Sequence, residues 1–407
     1  MKLNKYLLGG LAGLLLVPAA QADFTINITG STAFRAAAYT GILSLYDAGV
    51  NVNAGSLNAN GDLVTVANPQ APLAPSSASI YNGQNYMTFS GTMAAFGSQI
   101  VTINCQWSGS VEGIRDLTQG NNLSLLSTPV SQTTAYTNAP VTGVADFTFT
   151  DVFQSTTTYK TPTLLKATVG VIPFALVKSA GAPANLTNIT HQQTRTLFAA
   201  GVVPLSYLTG DMSNGGDTNK VACLIGRYAG SGTRFAIFAD TGYGALKNSI
   251  NYKHSTTADA GSPAYTQVTP DPNEGYTSGS NIRTDLGFST AKALGTDGAT
   301  YVTGYAIGTL GVKDAFSVAG NSAGALNLTY DGQAYSTNAV QNGQYTMWSY
   351  QHFMWKSGLN ANLTTFKNNV VATIPNNLGT GTGASGIPLS AMTVERFVDG
   401  GPIGTKY

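Results

Sequence analysis

Arg227-Tyr228-Ala229-Gly230-Ser231-Gly232-Thr233 stands between two apolar runs, Lys220–Gly226 and Arg234–Phe238, and reads as strand, glycine-rich turn and helix start. A helix that opens with Ser231, Gly232 and Thr233 aims unpaired backbone N–H groups and hydroxyl donors at one point. The Arg227 guanidinium, just upstream, can close over the same point. Such an arrangement cradles an oxyanion.

Two further units of this kind lie upstream. Phe24–Ile28 alternates as a strand and runs into Gly30-Ser31-Thr32-Ala33-Phe34, with a helix expected from Ala36 to Asp47. Ile100–Cys105 is a second strand, followed by a turn through Ser110 and a short helix over Val111–Leu117. In an open α/β sheet, ligands bind outside the carboxyl ends of the strands, where such turns gather. Three helix N-termini meeting there offer many neutral donors, with Arg227 as the fixed cation, and a tetrahedral oxyanion is the natural guest. Arg35 adds a cation near the first turn, as a second ligand or as an exposed helix residue.

Val144–Thr150 alternates as a strand and delivers Asp151 at its end. A carboxylate beside an anion site accepts a hydrogen bond from a protonated oxyanion such as hydrogen phosphate. Sulfate, which carries no proton at neutral pH, leaves it unpaired and repelled. That difference amounts to about 2 kcal/mol or more, enough to discriminate between two ions of equal size.

The remaining chain reads as alternating apolar runs and polar excursions. Asn51–Ser98 shows no sustained period and is expected to be a surface excursion carrying one hairpin. Asn121–Thr142 is a second excursion, and Ser255–Asn281, rich in Gly and Pro, is expected to be the most mobile part. Lys166–Lys178 reads as a buried strand passing from one lobe to the next, and Thr190 and Gln193 have capping-box spacing. Tyr301–Leu310 and Gln344–Trp355 read as strands, and Asn362–Val371 as a helix.

The length of 407 residues, 43% of them apolar, suits two cores. Met1–Ala22 has the three parts of a secretory signal: basic Lys2 and Lys5, an apolar run over Tyr6–Val17, and Ala20-Gln21-Ala22 before the expected cleavage site. No second long apolar stretch follows. Without the leader, 18 bases face 19 acids, a net charge of −1, which excludes an electrostatic argument for nucleic acid or an anionic membrane. Cys105 and Cys223 form an even pair in an oxidising compartment, yet each falls in a run assigned to a different lobe, so they are expected to stay unpaired.

Gly30-Ser31-Thr32-Ala33-Phe34, then Ser110–Gly113, then Asp146 and Phe147 leading to Asp151, then Arg227 with Gly230-Ser231-Gly232-Thr233 resemble, in that order, the phosphate-binding periplasmic proteins of ABC importers. The resemblance implies an α/β, two-lobed periplasmic-binding-protein (Venus flytrap) fold. Each lobe would be a mainly parallel sheet flanked by helices, with polar surface insertions. Lobe 1 would comprise residues 23–177 and 346–407, and lobe 2 residues 178–345. It further implies capture of inorganic phosphate in the periplasm, for an ABC permease complex, by a monomer without cofactor or metal. Thr32 and Ala33 would donate from the first turn and Ser110 from the second. Asp151 would accept the phosphate proton, and Arg227, Ser231, Gly232 and Thr233 would close the site from the other lobe. The chain departs from the family at Val111 and Glu112, where small residues are common, and at Ala229, where an acid commonly braces the arginine.

Two other readings stay open. A surface or extracellular protein of the same fold would have altered or lost anion binding. A hydrolase would use Ser322 in a nucleophile-elbow pattern, with Asp331 and His352 following in triad order, although Ala325–Tyr330 alternates like a strand where the elbow needs a helix. Metal catalysis has only His191, His254 and His352 to draw on, without ligand spacing.

Overall fold

The strand Leu165–Lys178 belongs to two halves of one sheet: Leu165–Pro173 pairs antiparallel with Trp348–Trp355, and Phe174–Lys178 pairs antiparallel with Tyr301–Gly311. The computed structural model describes residues 23–47, 50–57, 63–67, 84–97, 99–126, 141–213, 216–254, 264–267, 275–287, 292–295, 301–379, 384 and 386–406. The expected leader, residues 1–22, lies outside them, as do 127–140 and most of 255–274.

In the first half, Phe24–Gly30 lies between Ile100–Gln106 and Phe147–Thr150, parallel to both. Parallel neighbours end on the same edge. Their carboxyl ends therefore deliver the turns that follow Gly30, Gln106 and Thr150 side by side. Ile26 and Ile28 alternate into a core with Phe34, Phe89, Phe147 and Phe353, as the sequence pattern predicts. In the second half, Lys220–Ile225 is parallel to Tyr301–Gly311, and both end toward the same cleft. A second core gathers Val177, Ile225, Ile282 and Leu310. A third runs from Ile114 and Leu117 to Phe198, Phe238 and Trp348, joining the two halves.

The α/β class is as expected, and the sheets are mixed. Phe24–Gly30 lies parallel to both its neighbours, Lys220–Ile225 is parallel to Tyr301–Gly311, and strands such as Tyr86–Thr92 and Val202–Pro204 add antiparallel. Tyr86–Thr92 corrects the reading of 51–98 as surface excursion: it pairs with Ile100–Gln106 along its whole length, and Met87 and Phe89 are fully buried. Asn51–Leu57 and Leu63–Ala67 extend the sheet beyond it. The helix His191–Ala200 has the predicted capping box: Thr190 accepts from the Gln193 N–H and Gln193 accepts from the Thr190 N–H. Cys105 and Cys223 are buried free thiols, and no described helix is long and apolar enough to cross a membrane.

Candidate functional site

Asp151 follows the strand Phe147–Thr150 and is 1% exposed. Ser110, the first residue of the helix Ser110–Gln119, donates its hydroxyl to the Asp151 carboxylate and accepts the Asp151 backbone N–H at 3.1 Å. Burial raises the Asp151 carboxyl above the usual carboxylate range, and the Ser110 hydroxyl, the Arg227 charge and the Ser31 hydroxyl pull it back. A carboxylate so placed can accept a proton-bearing ligand oxygen.

Across the cleft, the helix Gly232–Asp240 starts with Ser231 as its N-cap, whose side chain accepts from the Arg234 N–H. Gly232 packs directly on the acid: a Cβ there would stand 1.5 Å from Asp151 Oδ1 and 2.5 Å from Ser110 Cβ. Ser231 and Thr233 are buried beside it. The first helical N–H groups of such a helix have no intrahelical acceptor, so Gly232 and Thr233 point donors at the Asp151 side of the cleft.

Arg227 is 3% exposed and reaches between the halves. Its Nη2 donates to Thr32 Oγ1 at 2.9 Å and to the Thr277 carbonyl at 2.9 Å, and its Nε donates to the Tyr276 carbonyl at 3.0 Å. These carbonyls supply the brace that Ala229 does not. They come from the described end of Ser255–Asn281, where Tyr276 pairs with Arg227 in a short parallel bridge just before the helix Gly279–Leu286; most of that stretch, expected to be mobile, lies outside the described residues. The only sequence sign was Ser278 and Gly279 standing where a helix cap would, and the polar composition around them masked it.

Contacts between the two halves of the sheet surround these residues. The N–H groups of Val111 and Glu112 both donate to the Gly230 carbonyl, at 3.1 and 3.3 Å, and the Tyr228 hydroxyl donates to the Ser108 carbonyl. Gly109 has φ +126°, and a Cβ would lie 2.5 Å from the Gly230 oxygen, so the turn needs glycine for both conformation and space. Glu112 is turned to Arg115 in an ion pair along its own helix. Burial raises its carboxyl, and the Arg115 charge opposes the rise.

Thr32, Ser110, Asp151, Arg227, Ser231, Gly232 and Thr233 are thus brought together, with Ala33 half-buried beside Gly311. Arg35 corrects the exposed alternative. It is 4% exposed, and its Nη1 donates to Asn85 Oδ1 and its Nη2 to Ser280 Oγ at 3.4 Å, across the two halves. Ser322, Asp331 and His352 form no such assembly. Asp331 receives the His191 N–H at 2.9 Å, His352 is buried with Nδ1 3.2 Å from Thr168 Oγ1, and Ser322 sits in a turn with no helix after it. Among the described residues no group of three or more His, Cys, Asp or Glu side chains could hold a metal ion.

No family model matches the sequence, and no curated protein does. Solved structures similar to the chain include a putative phosphate ABC transporter substrate-binding protein with bound phosphate from Clostridium perfringens. It is 13% identical over 88% of this chain and 95% of that one, with a TM-score of 0.46. An ABC-type phosphate transport receptor from Vibrio cholerae is 14% identical over 85% and 93%, with a TM-score of 0.43. A possible phosphate binding protein from Planctomyces limnophilus DSM 3776 is 12% identical over 91% and 95%, with a TM-score of 0.41.

Proposed function

We propose that the chain is an exported solute-binding protein that captures inorganic phosphate between two lobes, 23–177 with 346–407 and 178–345, for an ABC importer in the periplasm. On this reading it is a monomeric binding protein and not an enzyme. The observation that carries the proposal is the buried Asp151 carboxylate, held by Ser110 and covered by the first turn of the helix at Gly232, with the Arg227 guanidinium reaching in from the same side.

Binding exchanges partners. The Ser110 hydroxyl, now donated to Asp151, and the Arg227 Nη2, now donated to Thr32, turn to phosphate oxygens. The N–H groups of Thr32, Ala33, Gly232 and Thr233 and the Thr233 hydroxyl add neutral donors. Asp151 accepts the remaining phosphate proton. Because that last bond exists only for a protonated oxyanion, it selects phosphate over sulfate.

Titration calorimetry of the mature protein with phosphate and with sulfate tests this directly. Tight binding of phosphate and measurably weaker binding of sulfate are expected; no heat with either ion ends the proposal.

A further inference from the structure

We infer that Arg35 is a second cation of the anion site, acting through its charge, and that it makes the site take its ligand as a dianion. This rests on the reading of the site as a phosphate site.

Two guanidiniums, Arg35 and Arg227, are buried on either flank of the turn that carries Thr32, at 4% and 3% exposure. All their hydrogen bonds among the described residues go to neutral acceptors: Asn85 and Ser280 for Arg35, Thr32 and the carbonyls of Tyr276 and Thr277 for Arg227. Neither has a carboxylate within ion-pair distance among the described residues. The Arg227 charge acts on Arg35. Asp314 acts on both and Asp151 on Arg227, while Arg283 and Lys313 add positive charge around Arg35. On the helix that carries Arg283 and Ser280, the buried Asp285 carboxylate accepts from the Tyr276 hydroxyl.

Burial lowers the Arg35 guanidinium to about 10, so it stays charged at neutral pH. Buried charges without a counter-ion are costly, and a dianion in the cleft supplies what is missing. Arg35 does not discriminate between phosphate and sulfate, because both can carry two charges. Selectivity remains with Asp151, and the two residues divide charge from proton recognition.

The test is calorimetry on the mature protein with inorganic phosphate and with sulfate at about pH 6 and about pH 8, because phosphate passes from monoanion to dianion in that interval. For the parent protein, phosphate affinity is expected to rise across it. Arg35→Gln should weaken phosphate and sulfate by a similar factor, roughly tenfold or more, and flatten the rise. Arg35→Lys keeps the charge but not the paired hydrogen bonds, and should keep the rise. Asp314→Asn removes a neighbouring carboxylate at a half-exposed position and should tighten both anions, which supports the inference even where Arg35→Gln fails to fold.

A parent that binds phosphate while Arg35→Gln is unchanged in affinity and pH response overturns this inference alone. Arg35→Lys as weak as Arg35→Gln, or Asp314→Asn without tightening, also overturns it. A parent that binds neither ion defeats the phosphate reading, and the inference with it.

Discussion

Ser110 and Asp151 hold each other twice: the serine hydroxyl donates to the carboxylate and accepts the aspartate's own backbone N–H at 3.1 Å. The acid is thereby fixed in direction at the end of its strand, packed against Gly232.

Asp151→Asn keeps the shape and exchanges an acceptor for a donor. The phosphate-over-sulfate preference should shrink by a factor of tens to hundreds, corresponding to about 2 kcal/mol or more. Competition calorimetry with the two ions reads this ratio, and an unchanged preference removes Asp151 from its role.

Gly232→Ala places a methyl where Asp151 Oδ1 stands 1.5 Å away, with Ser110 Cβ at 2.5 Å. The overlap falls on the contact between the two halves, so the loss should appear mainly in binding. Phosphate affinity is expected to drop roughly 10- to 100-fold, the equivalent of 1–3 kcal/mol of overpacking. Thermal denaturation of the variant separates this from general misfolding.

Arg227→Lys tests whether geometry or charge matters at that position. A lysine ammonium cannot reach Thr32, Thr277 and Tyr276 together in the forked geometry that the guanidinium uses. Phosphate affinity should fall at least roughly tenfold, and stability by about 1–3 kcal/mol as buried carbonyls lose their donor.

His352 sets a limit on acid stability. Burial, with the nearby Lys166 charge, lowers its imidazole to about 3. The native state keeps it neutral, whereas the unfolded chain takes up a proton below the ordinary histidine value of about 6.5. The stability from this residue is thus complete above that value and is lost as pH falls toward 3. Between about pH 7 and about pH 5 the loss is about 2 kcal/mol. Denaturant melts of parent and His352→Gln should converge or cross by that amount over the interval. Taking the difference cancels other groups, including Asp399, whose carboxyl burial pushes up to about 6.

Cys105 and Cys223 are both buried and free, and burial raises both thiols. A thiol reagent at neutral pH should find neither in the folded protein and both after denaturation. A denatured chain with no reactive thiol would mean that the two are bridged.

Much of this protein follows from its sequence alone, because the relevant signals are local. Phe24–Gly30, Ile100–Gln106 and Lys220–Ile225 carry their own apolar patterns, and each leads within a few residues to a Gly, Ser and Thr turn and a helix. Thr190 and Gln193 sit three residues apart and cap their helix by that spacing. Asp151 stands next to the strand that delivers it.

Other features depend on partners far along the chain and have no period to betray them. The Arg227–Thr32 bond spans 195 residues and the Arg35–Ser280 bond 245. The strand Tyr86–Thr92 looks polar and irregular until Ile100–Gln106 pairs with one edge and both its faces are covered. Burial of Arg35, and the carbonyl brace that replaces an acid at Ala229, arise only when the two halves of the sheet close on each other. Desolvation is a property of that enclosure, and no single stretch of residues encodes it.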